Sequence, residues 1–265
     1  MVHELRDGSR LRGPSVIGQT IESVTVRWPR HIARPSAREL QARLAGQKIR
    51  GVARRGKYLV FQLTRDVLLI HLKMSGDLMV VNGKAAPDKH AHTVFHFKGG
   101  RSLRFSDTRK FGKVWLVPSA EEVTSELGPE PLERGFTARK LEAMLQAHRR
   151  ALKPLLLDQT FVAGLGNIYT DEALHYAKLH PLRRSDSLTP AEVRALWQGI
   201  RRALRAGLRH NGASLDWVYR GGNMQHHFRV YNRAGEPCYN CGAPIRRTVV
   251  GQRGTHFCPQ CQKRK

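Results

Sequence analysis

Cys238-Tyr239-Asn240-Cys241, then sixteen residues, then Cys258-Pro259-Gln260-Cys261: these are the only four cysteines in 265 residues, and they fall in two C-x-x-C pairs. Each pair makes a tight knuckle that points two thiolates at one ion, and two knuckles complete a closed tetrahedral S4 site. The spacing lies within the range of zinc ribbons and fingers. Two disulfides are the other reading. They suit a small secreted domain rather than a large chain with no further cysteine, so one structural zinc ion is expected. Gly242 and Gly254 allow the close turns of such a module. Residues 229–265 hold eight Arg and Lys against one acid, Glu236. A segment so small and basic is expected to be held together by its metal and directed at a polyanion.

The whole chain shares this bias. Forty-six Arg and Lys against twenty-one Asp and Glu give a formal charge of +25 and a pI near 11.0. Solubility does not require that much charge. Nucleic acid is the expected partner, with an acidic membrane surface as the competing reading. No run of about 18 apolar residues offers a transmembrane helix, and the start of the chain lacks the apolar region of a secretion signal. No membrane partner is therefore expected, and the cysteine usage fits a reducing, cytoplasmic compartment. Hydrophobic residues make up 40%, enough for real cores, and the length allows two domains or one large domain with a small appendage.

Upstream of the cysteines the hydrophobic period is helical. Thr189 reads as an N-cap, Pro190 as the first helical residue, and Glu192 completes a capping box. Val193, Leu196, Ile200, Leu204 and Leu208 then form one apolar stripe, with Arg194, Arg201, Arg202, Arg205 and Arg209 elsewhere on the wheel and Gly212 as the stop. Further helical faces are expected at Leu141, Met144 and Leu145 behind Thr137, at Leu152, Leu155 and Leu156, and over Ile168 to Lys178. Asn167 would cap the last of these behind Gly164-Leu165-Gly166. From Ile17 to about Val117 the pattern is β. Lys57 to Leu63 alternates, Val67 to Leu72 is continuously apolar, and Val94–Phe97 and Ser102–Phe105 flank a glycine turn as a hairpin. Lys113 to Val117 is another short strand. Many short strands with turn signals predict a sandwich or a barrel. Val2 to Arg6 reads as the tail of a helix.

Several short motifs occur in order: Arg54-Arg55-Gly56-Lys57-Tyr58-Leu59, Lys73-Met74-Ser75-Gly76, Lys89-His90-Ala91-His92, Asp107-Thr108-Arg109-Lys110-Phe111-Gly112 and Leu127-Gly128-Pro129-Glu130-Pro131-Leu132. Leu157-Asp158-Gln159 follows, then Gly164-Leu165-Gly166-Asn167-Ile168-Tyr169, then Gly251 to Cys258. Each is weak alone; the ordered set together with the four cysteines is specific. It resembles the formamidopyrimidine-DNA glycosylase / endonuclease VIII family from about Ile17 to Lys265. Met74 with Arg109 and Phe111 resembles the formamidopyrimidine branch.

The resemblance implies an α+β fold in three parts: an N-terminal β-sandwich over 1–118, a helix–two-turns–helix domain over 119–228 and a zinc finger over 229–265. It implies a monomer that removes oxidised purines (8-oxoguanine, formamidopyrimidines) from double-stranded DNA in base-excision repair. It also implies abasic-site lyase activity through a Schiff base and β,δ-elimination. Such chemistry needs the base rotated out of the stack and the hole filled. By resemblance Met74, Arg109 and Phe111 fill it, since an apolar wedge and a cation replace stacking and pairing. Taken alone, Met74 and Phe111 read equally as core residues. Asn167 would bind a backbone phosphate at a helix N-terminus. Among Arg149, Arg150 and Lys153, one or two would contact phosphates flanking the lesion, alongside His90. Lys57 and Arg253 resemble the groups that assist departure of the two phosphates. Arg253 holds its proton at any working pH, so it is expected to stabilise charge rather than donate a proton.

The family's reaction begins at its N-terminus, where a proline amine attacks C1′ with a glutamate beside it, in a start that reads Met-Pro-Glu-Leu-Pro-Glu. Here Met1-Val2-His3-Glu4-Leu5 stands instead. Val2 to Arg6 resembles the later part of the family's first helix, so the opening residues are expected to be missing in front of it, with a short insertion around Asp7 to Gly13. Two readings are open: a start assigned too far downstream, which the retained Lys57, Arg253 and wedge residues favour, or a protein that binds lesions without cutting. Glu4 is not a substitute for the family's glutamate. The family's loop over the flipped base would fall around Tyr219 to His227 and reads short. An endonuclease VIII-like enzyme for oxidised pyrimidines and an RNA-binding zinc-ribbon protein are the remaining alternatives.

Overall fold

The computed structural model describes residues 1–82, 86, 88–214 and 221–264. These form two compact units, residues 1–125 and residues 126–214 with 221–264. The boundary lies a few residues beyond the expected position 118. The four-cysteine segment packs as part of the second unit.

The first unit is a β-sandwich. One sheet joins β1 (Ile21–Val26), β7 (Ala91–Phe97), β8 (Arg101–Asp107) and β6 (Gly76–Asn82) in that order, all antiparallel. The other runs β2 (Ile32–Arg34), β9 (Lys113–Val117), β5 (Val67–His71), β4 (Tyr58–Gln62) and β3 (Gly51–Arg55), with β2 and β9 parallel. Alternate residues of both sheets meet in one core: Leu78, Val80, Phe95, Phe97, Leu103 and Phe105 from the first, Leu59, Phe61, Leu68, Ile70, Val114 and Leu116 from the second. The continuous apolar run of β5 has a physical reason. Leu68 and Ile70 face this core, while Val67 and Leu69 join Val60 and Val117 in a second cluster.

Two helices complete the unit. Helix α1 (Val2–Asp7) buries Leu5 in the core. Helix α2 (Ala37–Leu44) buries Leu40 and Leu44, and its N-cap Ser36 accepts from the Glu39 N–H at 3.2 Å. The β pattern expected across Ile17 to Val117 missed α2, although Ser36 followed three residues later by Glu39 is an N-terminal helix signal. A short helix, α3 (Glu121–Thr124), ends the unit.

The helices of the second unit are α4 (Ala138–Gln146), α5 (Leu152–Leu157), α6 (Asn167–Tyr176) and α7 (Pro190–Arg209). The capping box of α7 is present as expected, with Thr189 and Glu192 bonded reciprocally. Thr137 caps α4 by accepting from the Lys140 N–H. Leu141, Leu145, Leu152, Leu155, Leu156, Leu174, Leu196 and Ile200 share one core. Gly199 lets α6 and α7 close on each other: a methyl there would lie 2.5 Å from the Ala173 carbonyl. The hairpin of β10 (Arg246–Val250) and β11 (Arg253–Phe257) packs on α6. Its two-residue turn has φ 57° at Gly251 and 61° at Gln252, the positive pair that matches the twist of a hairpin.

Two histidines make the first unit acid-sensitive. Burial, followed by neighbouring charges, pushes His31 and His71 from 6.5 to about 4. Both folded values lie below the unfolded one. Their stabilising effect is therefore complete above pH 6.5 and is lost as the pH falls toward 4. Urea unfolding of this unit is expected to show a loss on the order of 2 kcal/mol per histidine between about pH 7 and 5. His31→Gln is expected to remove about half of that slope, since it deletes one of the two groups.

Candidate functional site

In the first unit, Met74 and Phe111 stand exposed, at 63% and 54%, on two neighbouring turns. One follows β5 and carries Lys73 at φ 54°; the other follows β8 and carries Lys110 at φ 59°. A single buried carboxylate ties the turns together. Asp107 accepts from the Ser75 hydroxyl on the first turn, and from the Arg109 N–H at 3.2 Å and the Gly112 N–H at 2.6 Å on the second. Ser75 Oγ also accepts from the Arg109 N–H, at 3.1 Å. The His92 ring donates to the Asp107 carbonyl at 2.7 Å, and the Asp107 N–H donates to the His90 carbonyl at 3.0 Å. His90 is thereby fixed at the edge of the same cluster. Arg109 reaches across the turns, its Nη1 donating to Met74 Sδ at 3.2 Å. Gly76 and Gly112 allow this closeness. A methyl at Gly76 would sit 2.8 Å from the Phe105 ring, and one at Gly112 would sit 2.4 Å from it.

Lys57 is exposed in the tight turn between β3 and β4. Its neighbour Tyr58 pairs in register with His71, and the two rings meet edge-on at 4.9 Å. His71 Nδ1 accepts from the Lys73 N–H at 2.9 Å. The Lys57 turn and the Met74 turn are thus held at one end of the same sheet. At the start of the unit, the Met1 amine lies 2.6 Å from Glu4 Oε2. The buried Arg12 guanidinium pairs with Asp77 of β6, so the segment around Asp7 to Gly13 is pinned to the sandwich.

In the second unit, Asn167 is the first residue of α6 and not its cap. Gly166 occupies the cap position in extended backbone and offers no side chain. The Asn167 side chain instead donates to the Gly254 carbonyl at 3.0 Å. Gln159 builds the turn in front, accepting from the Gly164 N–H at 3.0 Å and donating to the Leu157 and Leu165 carbonyls, each at 2.9 Å. Lys153 also donates to the Gly254 carbonyl, at 2.9 Å, and to Asp171 Oδ1 at 2.6 Å. This corrects the expectation for Lys153. It is fully buried with Asp171, so its ammonium is not presented to a phosphate. Burial lowers its pKa, Asp171 opposes that, and the nearby charge of Arg253 lowers it further. Arg253 itself is exposed at the start of β11, next to Gly254. Arg149 is 85% exposed with Asp186 at 3.9 Å, and Arg150, 47% exposed, pairs with Asp158 at 2.9 Å.

The four cysteine sulfurs lie within 4.8 Å of one another. Cys238–Cys261, Cys241–Cys258 and Cys241–Cys261 are separated by 4.0, 3.4 and 3.5 Å. A Zn–S bond of about 2.3 Å sets the edge of a tetrahedron at about 3.8 Å, so the donor set fits zinc. The His175 ring lies 3.5 Å from Cys238 Sγ, where its Nε2–H can donate to a metal-bound thiolate.

Helix α6 holds the metal module with residues that the sequence alone placed on no face. Glu172 accepts the N–H groups of Arg229, Val230 and Tyr231 at 2.9–3.0 Å, and Asp171 Oδ2 accepts that of His256 at 2.9 Å. An acidic pair in the middle of a helix, in a chain so poor in acid, was the available signal. Of the expected loop around Tyr219 to His227, Tyr219 and Arg220 lie outside the described residues. Met224 is buried against Ala206 and Phe228.

Three family profiles match successive stretches of the chain. The Formamidopyrimidine-DNA glycosylase N-terminal domain matches residues 2–114, the Formamidopyrimidine-DNA glycosylase H2TH domain residues 127–218, and the Zinc finger found in FPG and IleRS residues 235–264. The formamidopyrimidine-DNA glycosylase of Enterococcus faecalis is 44% identical over 258 residues, covering 94% of this chain and 92% of that protein. The Lactococcus lactis protein solved with abasic-site DNA superimposes with a TM-score of 0.90 at 35% identity, covering 99% of this chain and 98% of that one. Its complex with Fapy-dG-containing DNA gives 0.89 at the same identity and coverage.

Proposed function

The chain belongs to the formamidopyrimidine-DNA glycosylase family, and from that premise we propose that it recognises oxidised purines and abasic sites in double-stranded DNA for base-excision repair. The observation that carries this reading is the Asp107 carboxylate, which locks the Met74 turn to the Arg109–Phe111 turn. Two exposed apolar side chains beside a guanidinium on a rigid base are what a duplex needs when a nucleotide leaves the stack. Met74 and Phe111 fill the gap, and Arg109 supplies donors to the orphaned base. In the second unit, the Gly164-to-Asn167 turn opens α6 without a side-chain cap, and its N–H groups suit a phosphate. Arg149 and His90 add further phosphate contacts. Zinc is structural: with four cysteine ligands it has no open position for chemistry.

The family reaction runs by attack of an amine on C1′. The base departs, the sugar ring opens to a Schiff base, and β- and then δ-elimination release the two phosphates. Lys57 and Arg253 assist these departures, Lys57 through its ammonium and Arg253 as a permanent positive charge beside the leaving oxygen. Residues 1–265 hold no Met-Pro-Glu start, so the attack is assigned to no residue of this polypeptide.

The test measures the 265-residue polypeptide by fluorescence anisotropy on matched duplexes. A tetrahydrofuran abasic analogue is expected to bind at least about tenfold tighter than intact duplex at equal salt. Equal affinity would overturn the reading in favour of general nucleic-acid binding. Borohydride trapping on an abasic duplex is expected to give no adduct with residues 1–265 and an efficient adduct once the family's Pro-Glu start is supplied ahead of Val2. Incision by that extended chain of 8-oxoguanine but not thymine glycol duplexes supports the purine reading; the reverse preference overturns it.

A further inference from the structure

The outward face of α7 carries a groove that includes none of the candidate DNA-contacting residues. The groove, of about 350 Å³, runs between α6 and α7, walled by Tyr176, Trp197, Arg201, Arg202 and Arg205. Its walls are built rather than loose. The Trp197 indole donates to the Phe136 carbonyl at 2.7 Å, and Arg201 donates to the Pro131 carbonyl at 2.7 Å. The Arg201 guanidinium sits 5.0 Å from the Trp197 ring centre and that of Arg202 sits 4.4 Å from the Tyr176 ring centre.

Three of the groove's lining residues are arginines of one helix. Arg150, Arg183, Arg184 and Arg233 each have a carboxylate within 3.3 Å. Arg201, Arg202 and Arg205 make no ion pair among the described residues, although Arg201 and Arg205 lie close enough to repel. One turn beyond Arg205, Leu208 is 67% exposed. Guanidinium, guanidinium and an apolar side chain thus follow one another at 201, 205 and 208, the spacing of one helix face.

This surface is separate from the phosphate-binding candidate. Asn167 opens α6 and Tyr176 ends it, so at 1.5 Å per residue the two lie about 13 Å apart along the helix. A guanidinium lies over one face of each ring, so that face is not free to stack on bases. A carboxylate matches the guanidinium fork, and an apolar side chain beside it would cover Leu208.

We propose that this groove docks an acidic segment of a partner protein, one that carries aspartate or glutamate next to an aromatic side chain. The test uses the full chain with its zinc and a fluorescein-labelled peptide, Asp-Asp-Glu-Asp-Phe-Asp-Asp. Saturable binding is expected to weaken at least about tenfold in the R202E/R205E variant. The same variant is expected to keep its affinity for the abasic duplex within about twofold, because the exchanged side chains are remote from Asn167. A lysine-containing peptide of matching length should gain binding to the variant. Peptide affinity unchanged by R202E/R205E would overturn the proposal. So would competitive displacement of the peptide by intact duplex, which would make the groove a nucleic-acid track.

Discussion

Cys258→Ser is expected to leave the protein without zinc and to reduce its affinity for abasic DNA by at least about 100-fold, the largest effect of any single substitution outside the sandwich core. The reason is the size of the core that the metal supports. The module's buried cluster consists of Val230, Cys238, Ile245 and Cys258, with Ala243 and Cys261 at its edge. Two aliphatic side chains and the cysteines cannot hold a hairpin against chain entropy, and structural zinc supplies about 10–16 kcal/mol in modules of this kind. The damage would not stop there. Lys153 and Asn167 both donate to the Gly254 carbonyl, Glu172 accepts three N–H groups from residues 229–231, and Asp171 accepts that of His256. Release of the hairpin takes the Gly254 carbonyl from Lys153 and Asn167 and the His256 N–H from Asp171, each loss costing about 1–3 kcal/mol, and leaves only the Lys153–Asp171 pair intact there. Native mass spectrometry gives the zinc content and anisotropy the affinity. A variant that loses its zinc yet binds abasic duplex like the parent would refute the coupling.

The contrast between what the sequence made visible and what it hid follows from periodicity and partnership. The capping box of α7, the strands around Val60 and Leu69 and the two cysteine knuckles were legible because each is written in neighbouring residues. Helix α2 was not, since it is only about two turns long and sits between strands, with the Ser36–Glu39 spacing as its one local signal. The polar contacts across α6 were hidden for a different reason. Asp171, Glu172 and Lys153 have no burial that local periodicity can show: Lys153 and Asp171 are buried against a hairpin about 80 to 100 residues away in sequence, and Glu172 against residues 229–231. Lys153 shows the cost of that blindness: beside Arg149 and Arg150 it reads as one more surface cation, whereas its ammonium neutralises a buried carboxylate. The wedge was legible only through the resemblance. An exposed Met74 and an exposed Phe111 look like core residues in a one-dimensional pattern.

Asp107→Ala is expected to abolish the preference for abasic over intact duplex while leaving affinity for intact duplex within about threefold, since phosphate contacts supply most of the non-specific term. The carboxylate is buried and accepts from Ser75 Oγ–H and from two backbone N–H groups, those of Arg109 and Gly112. Its removal leaves the Gly112 N–H and the Ser75 hydroxyl proton without their acceptor and the Arg109 N–H with Ser75 Oγ alone, at a cost of about 1–3 kcal/mol for each donor left unsatisfied. The turns carry Lys73 and Lys110 at positive φ, a conformation that non-glycine residues hold only when surrounding bonds impose it. Without those bonds, Met74 and Arg109 lose the fixed separation at which one guanidinium nitrogen reaches the sulfur. The wedge then has to be ordered on each binding event, and that ordering draws on the energy that distinguishes a vacant site from a filled one. Asp107→Asn is a sharper probe. With its amide oxygen in the Oδ1 position it can still accept from Ser75 and the Arg109 N–H, but its NH₂ group would oppose the Gly112 N–H, so it is expected to fall between the parent and the alanine variant. Thermal unfolding of the first unit and the ratio of the two duplex affinities are read together. A lowered melting temperature with an unchanged ratio would make Asp107 a stabilising residue only, with no part in presenting the wedge.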